Sequence, residues 1–372
     1  MRGIASTLVQ GAHLNGRPAA DVGLFETDEA VLPLLLRKVR PTVVVINNLF
    51  RDQLDRFGEL DSLYRSWEQA VAGLPEDVCL VFNADDPALA RLGEIAPCRV
   101  MPFGLHAPEH ALSELPHAAD AAACGRCRHA LEYTAVYVSH MGEYSCPNCG
   151  FTRPQPFVLG TNIKLHGADG SDLVMCVGGE ERRVRLNVPG IYNVYNALAA
   201  AAAAIALGVE QPSIERGFGA FTAAFGRFER VSAEGRRVLL ILIKNPVGCN
   251  EVLRMLVSEP TAEPVLLIIN DRTADGRDVS WLWDADFETL AALPGPFITS
   301  GLRGADMALR LKYSGIPADR IRTIENIPAA LRGAVDLTSP GGTLRVLPTY
   351  TSMLELRGHM GELGWVEPYW EE

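Results

Sequence analysis

Lysine is nearly missing from this 372-residue chain. Lys38, Lys164, Lys244 and Lys312 are the only four, and none follows a glycine. A phosphate loop ending in Gly-Lys-Thr, which wraps backbone N–H groups and one lysine round a polyphosphate, is therefore excluded from the sequence as written. Positive charge is scarce overall, with 34 Lys plus Arg against 45 Asp plus Glu. The resulting net charge of −11 argues against a general nucleic-acid binder. Long apolar runs are lacking as well. The longest, 197–209, is alanine-rich and shorter than the ~20 residues of a membrane-crossing helix, and no apolar signal core opens the sequence. These absences predict a soluble cytoplasmic protein with no membrane span. What remains, 48% apolar and 21% charged residues, is ordinary globular composition and excludes disorder or a small disulfide scaffold.

Four of the eight cysteines stand in two pairs, Cys124-Gly-Arg-Cys127 and Cys146-Pro-Asn-Cys149-Gly150, while Cys79, Cys98, Cys176 and Cys249 are scattered. Two such knuckles place four thiolates tetrahedrally, which is the geometry Zn²⁺ takes. Four protein ligands leave no position for water, so the predicted role is structural. Between the pairs, Leu131-Glu-Tyr-Thr-Ala-Val-Tyr-Val138 alternates like one strand of a hairpin, as in a zinc ribbon. Four unrelated buried cysteines and a nucleic-acid ribbon are the competing readings. Only Arg126, Arg128 and Arg153 would serve the latter.

Around this insertion, at about 120–157, short apolar runs alternate with helical stretches, the signature of an α/β fold with buried parallel strands. Strands are expected at 42–46 and 79–82, the latter running into Asn83-Ala-Asp-Asp-Pro87, and a close-packed alanine helix after Pro189-Gly-Ile-Tyr-Asn193-Val-Tyr-Asn196. A second α/β series follows, with strands at 237–243, 265–269, 297–299 and 343–347, so the domains are placed at 1–230 and 231–372. Each of the four later strands ends in polar or turn residues: Lys244-Asn245-Pro246, Asn270-Asp271, Ser300-Gly301 and Pro348-Thr349-Tyr350. In an open parallel sheet ligands bind outside the carboxyl ends of the strands, so these tips are expected to share one edge and face a substrate.

Taken in order, Phe25-Glu26-Thr-Asp-Glu29, Asn48-Leu-Phe-Arg-Asp52-Gln-Leu-Asp55-Arg-Phe-Gly58, Asn83-Ala-Asp-Asp-Pro87, the Pro189 to Asn196 run and Gly226-Arg227-Phe-Glu229 resemble the central-domain motifs of Mur ligases. Further on, Lys244-Asn-Pro-Val-Gly248, Asn270-Asp271, Asp275-Gly-Arg-Asp278-Val-Ser-Trp281-Leu-Trp283-Asp284, Arg310-Leu-Lys-Tyr313 and the ribbon narrow the resemblance to the MurT branch. That resemblance implies a Mur ligase-like central ATPase domain carrying the zinc ribbon, followed by a Rossmann-like α/β domain. It also implies a chemistry. MurT-type subunits use ATP and Mg²⁺ to activate the D-glutamate α-carboxylate of lipid II as an acyl phosphate, which ammonia converts to D-isoglutamine. The ammonia comes from a GatD-type glutaminase, whose triad the MurT subunit completes with an aspartate. The setting it implies is the inner face of the membrane, where lipid II is made.

Carried onto this sequence, Glu26, closing the apolar, strand-like Val22-Gly-Leu-Phe25 run, becomes a carboxylate ligand for Mg²⁺, which needs only one or two such ligands, with a solvated acid as the alternative. Asn193 and Asn196, three apart at a helix start, point at the nucleotide or else cap the helix. Arg227 meets phosphate or ribose, or pairs with Glu229 as a hinge. Lys244 and Asn245 stabilise charge on the transferring phosphoryl group, or form a surface turn. Asp271 accepts from ribose hydroxyls, or makes an Asx-turn. Asp278 and Asp284 are alternatives for the triad aspartate, with Trp281 and Trp283 as interface anchors or as local core.

One departure stands out. Mur ligases hold ATP phosphates on a Gly-Lys-Thr loop after their first central strand, and the motif downstream of it, Arg-Gly-Ile-Ala-Ser-Thr-Leu, here occupies Arg2 to Leu8. The sequence as written is expected to begin inside the central domain and to bind ATP poorly. Two other readings stay open: a non-catalytic zinc-ribbon scaffold, and a Mur or folylpolyglutamate-type ligase that adds an amino acid.

Overall fold

The computed structural model describes residues 2–13, 15–50, 60–116, 123–221 and 227–367, without the side chains of Arg2 and Arg227. Two short helices, α1 (Arg2–Gln10) and α2 (Leu32–Leu36), precede β1 (Val43–Ile46). The series continues through α3 (Leu60–Ala72), β2 (Cys79–Asn83), α4 (Pro87–Ile95) and β3 (Arg99–His106). A hairpin, β4 (Glu132–Val138) and β5 (Met141–Ser145), interrupts the series before β6 (Val158–Leu165), β7 (Ser171–Val177) and β8 (Glu180–Leu186). The resulting sheet has the order β1-β2-β3-β6-β7-β8. Its first four strands are parallel, and β7 and β8 extend it antiparallel.

Helix α5 (Ile191–Ala206) packs on this sheet and is followed by α6 (Gln211–Ala220). Its buried face alternates Val194 and Leu198 with Ala201 and Ala202, and small residues let the helix axis approach closely. Gly160 on β6 completes the fit, because a Cβ there would meet Leu198 and Leu105 at 3.0 and 2.9 Å.

The second sheet begins at β9 (Arg227–Ala233) and β10 (Arg236–Ile241), continues through α7 (Pro246–Ser258), β11 (Val265–Ile268), β12 (Phe297–Ser300), α8 (Gly304–Tyr313) and β13 (Ile321–Thr323), and closes with α9 (Ile327–Leu337), β14 (Thr343–Pro348) and α10 (Tyr350–Glu362). Its order is β13-β12-β11-β14-β10-β9, with β9 alone antiparallel. Helices cover both faces. Val265 and Leu267 face a core shared with Leu253 and Leu256 of α7, while Leu266 and Ile268 face Ala330, Leu331 and Leu356 of α9 and α10. Each of the fully buried Val, Leu and Ile side chains contributes roughly 1.5–3 kcal/mol.

At the start of β9 the register slips, because Leu240 pairs with Glu229 and Ile241 with Arg227. Phe228 is the extra residue, buried with φ at +61°. Its ring lies 6.4 Å from that of Tyr192 on α5, so this bulge packs the edge of the second sheet against the helix that covers the first.

The apolar Val22-Gly-Leu-Phe25 run, which reads as strand-like, forms no strand. Val22 is 63% and Leu24 92% exposed, and no described strand pairs with the run. Apolarity alone does not make a strand without a neighbour to satisfy its backbone.

Candidate functional site

The four paired cysteines converge. Their sulfur atoms all lie within 4.8 Å of one another, with Cys124–Cys149 at 3.6 Å and Cys127–Cys146 at 3.5 Å. Zn–S bonds of about 2.3 Å in a tetrahedron require sulfurs about 3.8 Å apart, so the set fits zinc. Each knuckle is a closed backbone turn. Arg128 N donates to Cys124 O at 2.9 Å and Gly150 N to Cys146 O at 3.0 Å, with both donors at positive φ. The four thiols titrate as a set: an Asn148 hydrogen bond lowers the Cys127 thiol, whereas that of Cys149, despite a hydrogen bond from Phe151 N, is raised by burial and the neighbouring sulfurs.

The ribbon is fastened to the sheet by motif residues to which the sequence assigned no such part. Asp85, fully buried at the carboxyl end of β2, accepts from Arg153 Nε at 2.6 Å, Leu105 N at 3.0 Å and Tyr195 OH at 2.6 Å. Burial pushes its carboxyl above the ordinary range despite Arg153. Gly104 must be glycine, since a Cβ would collide with Asp85 Oδ1 and Arg153 Nη2. Next in sequence, Asp86 caps α4 and accepts Leu49 N at 3.0 Å, and His140 from the hairpin tip reaches it at 3.3 Å. The Asn-Ala-Asp-Asp-Pro motif is thus a buried junction joining sheet, ribbon and the loop after β1.

The residues read as nucleotide ligands are spread over several places. Glu26 is exposed on a groove lined by Gly3, Ile4, Thr7 and Val31, none of which is another of those candidates. Asn193 and Asn196 do meet: Asn196 Nδ2 donates to Asn193 Oδ1 at 3.2 Å, and Asn193 Nδ2 donates to Pro189 O at 2.8 Å. Neither makes the N-terminal cap, which falls at Gly190 with no side-chain bond. Asn245 caps α7 by accepting Gly248 N at 2.8 Å, with exposed Lys244 before it. Val247, two residues on, packs into the first sheet's core, and Tyr192, beside Asn193, packs against the second sheet's core. Both candidate pairs therefore border the seam between the sheets. The 52–58 portion of the Asn48 motif, Gly226 and the Arg227 side chain lie outside the described residues. The described partner of Glu229 is Arg357 on α10.

The four strand tips share an edge, as their parallel pairing requires. Asn270 ties three of them together: its N donates to Thr349 Oγ1 at 3.0 Å, its Nδ2 to Thr351 Oγ1 at 3.2 Å, and its Oδ1 accepts Leu302 N at 3.0 Å. Asp275, also buried, accepts Thr351 N at 2.7 Å. Asp271 faces Arg303 at 3.4 Å. Beyond this edge, Asp278 is exposed and accepts Ser280 N at 2.8 Å, which holds its carboxyl below the ordinary range. Asp284 is exposed at the end of the turn Ser280–Trp283. Trp281 packs on the core, whereas Trp283 is 52% exposed and meets Tyr313, 70% exposed, edge to face at 5.8 Å.

Similarity to known proteins agrees with this arrangement. The Mur ligase middle-domain profile matches residues 17–150 and the MurT ligase C-terminal profile residues 242–353. The chain is 32% identical over 357 residues to the lipid II isoglutaminyl synthase (glutamine-hydrolyzing) subunit MurT of Streptococcus pneumoniae, covering 95% of this chain and 77% of that protein. The subunit of the same name from Staphylococcus aureus is 30% identical over 352 residues, covering 94% and 76%. Among solved structures, a pseudomurein peptide ligase type C from Methanothermus fervidus superposes with a TM-score of 0.64 at 20% identity, covering 87% of this chain and 64% of that one.

Proposed function

The chain belongs to the MurT family of Mur ligase-like ATP-dependent ligases, and from that membership we propose that it is the synthetase subunit of a lipid II isoglutaminyl synthase. Its reaction is amidation of the D-glutamate α-carboxylate in the lipid II stem peptide, with ammonia from a GatD-type glutaminase partner. ATP with Mg²⁺ supplies the phosphoryl group that turns the carboxylate into an acyl phosphate, so that ammonia leaves an amide, ADP and phosphate as products. We put the domain change near residue 230 and the work at the inner face of the membrane, where lipid II is made; no described helix is long and apolar enough to cross that membrane.

The observation that carries the reading is the seam. Asn193 borders it from the first sheet, and Lys244 and Asn245 border it from the second. A cation held there lies where charge develops on a transferring phosphoryl group, and fixed donors need no reorganisation during the reaction. Asp271, at the next strand tip, accepts ribose hydroxyls. Glu26, in its groove by α1, offers carboxylate oxygen to Mg²⁺, and Arg227 meets phosphate. Cys124, Cys127, Cys146 and Cys149 hold a structural zinc. The segment carrying Asp278, Trp281, Trp283 and Asp284 faces the glutaminase and lends it an aspartate.

The test uses the full-length gene product with lipid II, ATP and ammonium chloride, which bypasses the glutaminase. Lys244→Ala is expected to lower kcat/KM for ADP formation by about 100-fold, the scale of one lost charge-stabilising donor. An unchanged rate would remove Lys244 from the site and undo the seam as the catalytic centre.

A further inference from the structure

Arg310, in the Arg310-Leu-Lys-Tyr313 motif, has no role in the reaction as described above. It is 3% exposed on α8, and all five of its N–H groups are engaged. Nε donates to Leu282 O at 2.8 Å. Nη1 donates to Glu288 Oε1 at 2.8 Å and Ser314 Oγ at 2.7 Å. Nη2 donates to Ala285 O at 2.7 Å and Glu288 Oε2 at 2.9 Å. The guanidinium plane also lies 5.3 Å from the Trp283 ring centre and 5.5 Å from that of Phe287.

We propose that Arg310 is a positioning residue that clamps residues 282–288 from beneath, fixing Asp284 and Trp283 for the glutaminase partner and making Asp284 the carboxylate supplied in trans. This rests on the reading that the segment completes the partner's triad. The two carbonyls Arg310 holds, of Leu282 and Ala285, bracket Trp283 and Asp284 in sequence. A carboxylate that orients a histidine needs that kind of fixed backbone, because a misplacement of about 1 Å costs rate on the order of 100-fold. Asp278 lies outside the clamp and spends one oxygen on Ser280 N. Lysine cannot replace this arginine, since a point charge with three donors cannot span the two carbonyls and the bidentate Glu288.

The experiment compares Arg310→Lys, Asp284→Asn and Asp278→Asn in the full-length subunit assembled with its glutaminase. It measures glutamine hydrolysis at saturating subunit and amide hydrogen exchange across 281–288. Arg310→Lys is expected to lower kcat by roughly 10- to 100-fold with KM for glutamine unchanged, and to speed exchange in that segment. Asp284→Asn should share the kcat loss without the faster exchange, and Asp278→Asn should keep wild-type kcat. Wild-type kcat and exchange in Arg310→Lys would overturn the clamp. Faster exchange with wild-type kcat in both Arg310→Lys and Asp284→Asn would instead show that the clamp exists but the supplied aspartate is misread. Loss in Asp278→Asn alone would move the role to that residue.

Discussion

Removing Arg153 while leaving Asp85 in place should be among the most damaging single changes in the first sheet. Asp85 has no solvent access, and the Arg153 side chain is 13% exposed. Arg153→Met leaves a buried carboxylate with only Tyr195 OH and Leu105 N, and also removes the 2.7 Å bond from Arg153 Nη2 to Leu105 O. Breaking one side of a buried pair costs about 3–5 kcal/mol. The cost has a ceiling, because Asp85 can escape by taking up a proton. At 1.36 kcal/mol per pH unit, protonating a carboxyl with an ordinary pKa of 3.8 costs about 4.4 kcal/mol at pH 7 and about 1.6 kcal/mol at pH 5. The folded state of the variant favours neutral Asp85, so the stability it keeps is greatest at low pH and falls as pH rises. Urea unfolding of Arg153→Met against the parent should therefore give a deficit of about 3–5 kcal/mol at pH 7 that shrinks on acidification to about pH 5. The double variant Asp85→Asn/Arg153→Met should recover part of the loss. A deficit under 1 kcal/mol at pH 7, or one that grows on acidification, would refute the junction as described.

Other perturbations have equally direct readouts. Elemental analysis should find one zinc per chain, lost in Cys146→Ser together with several degrees of melting temperature, at about 2–4 °C per kcal/mol for a domain of roughly 150–250 residues; a metal-free wild type with the same melting temperature would contradict the structural role. Glu251 on α7 is buried, and desolvation raises it to about 7 against its Arg254 partner. A raised carboxyl favours the fold below its unfolded value of 4.5, and that contribution is lost as pH climbs through about 7. Glu251→Gln should thus flatten the pH–stability profile between pH 5 and 8, and an unchanged slope there would remove Glu251 as its source.

The strands and the ribbon are legible in the sequence because their causes are local. A buried parallel strand such as β11 is a continuous apolar run, and the cysteine spacing specifies a chelate by itself. What escapes reading is held by partners distant in sequence. Arg153 is 68 residues from Asp85, and Tyr195 is 110 residues away. No pattern in the Asn-Ala-Asp-Asp-Pro motif says that its first aspartate will be buried under the ribbon. Asn270 reads as a ligand-facing residue of a strand tip and Asp275 only as part of a motif, yet their polar atoms fasten the tips of β11, β12 and β14 together. The Val22-Gly-Leu-Phe25 run misleads for the opposite reason, since its apolar pattern suits a strand but no neighbour pairs with it. Arg310 stands in a recognisable motif, although only the fold shows four of its donors converging on residues 282–288.

The central claim, a ligase that amidates lipid II with ammonia passed from a glutaminase, is tested most directly by isotope transfer. The full-length subunit and its glutaminase are incubated with ATP, lipid II and glutamine labelled with ¹⁵N in the side-chain amide, and the stem peptide is analysed by mass spectrometry. The account predicts ¹⁵N in the D-isoglutamine carboxamide with one ADP formed per amide. Label released only as free ammonium, with no ADP and an unmodified stem peptide, would contradict it.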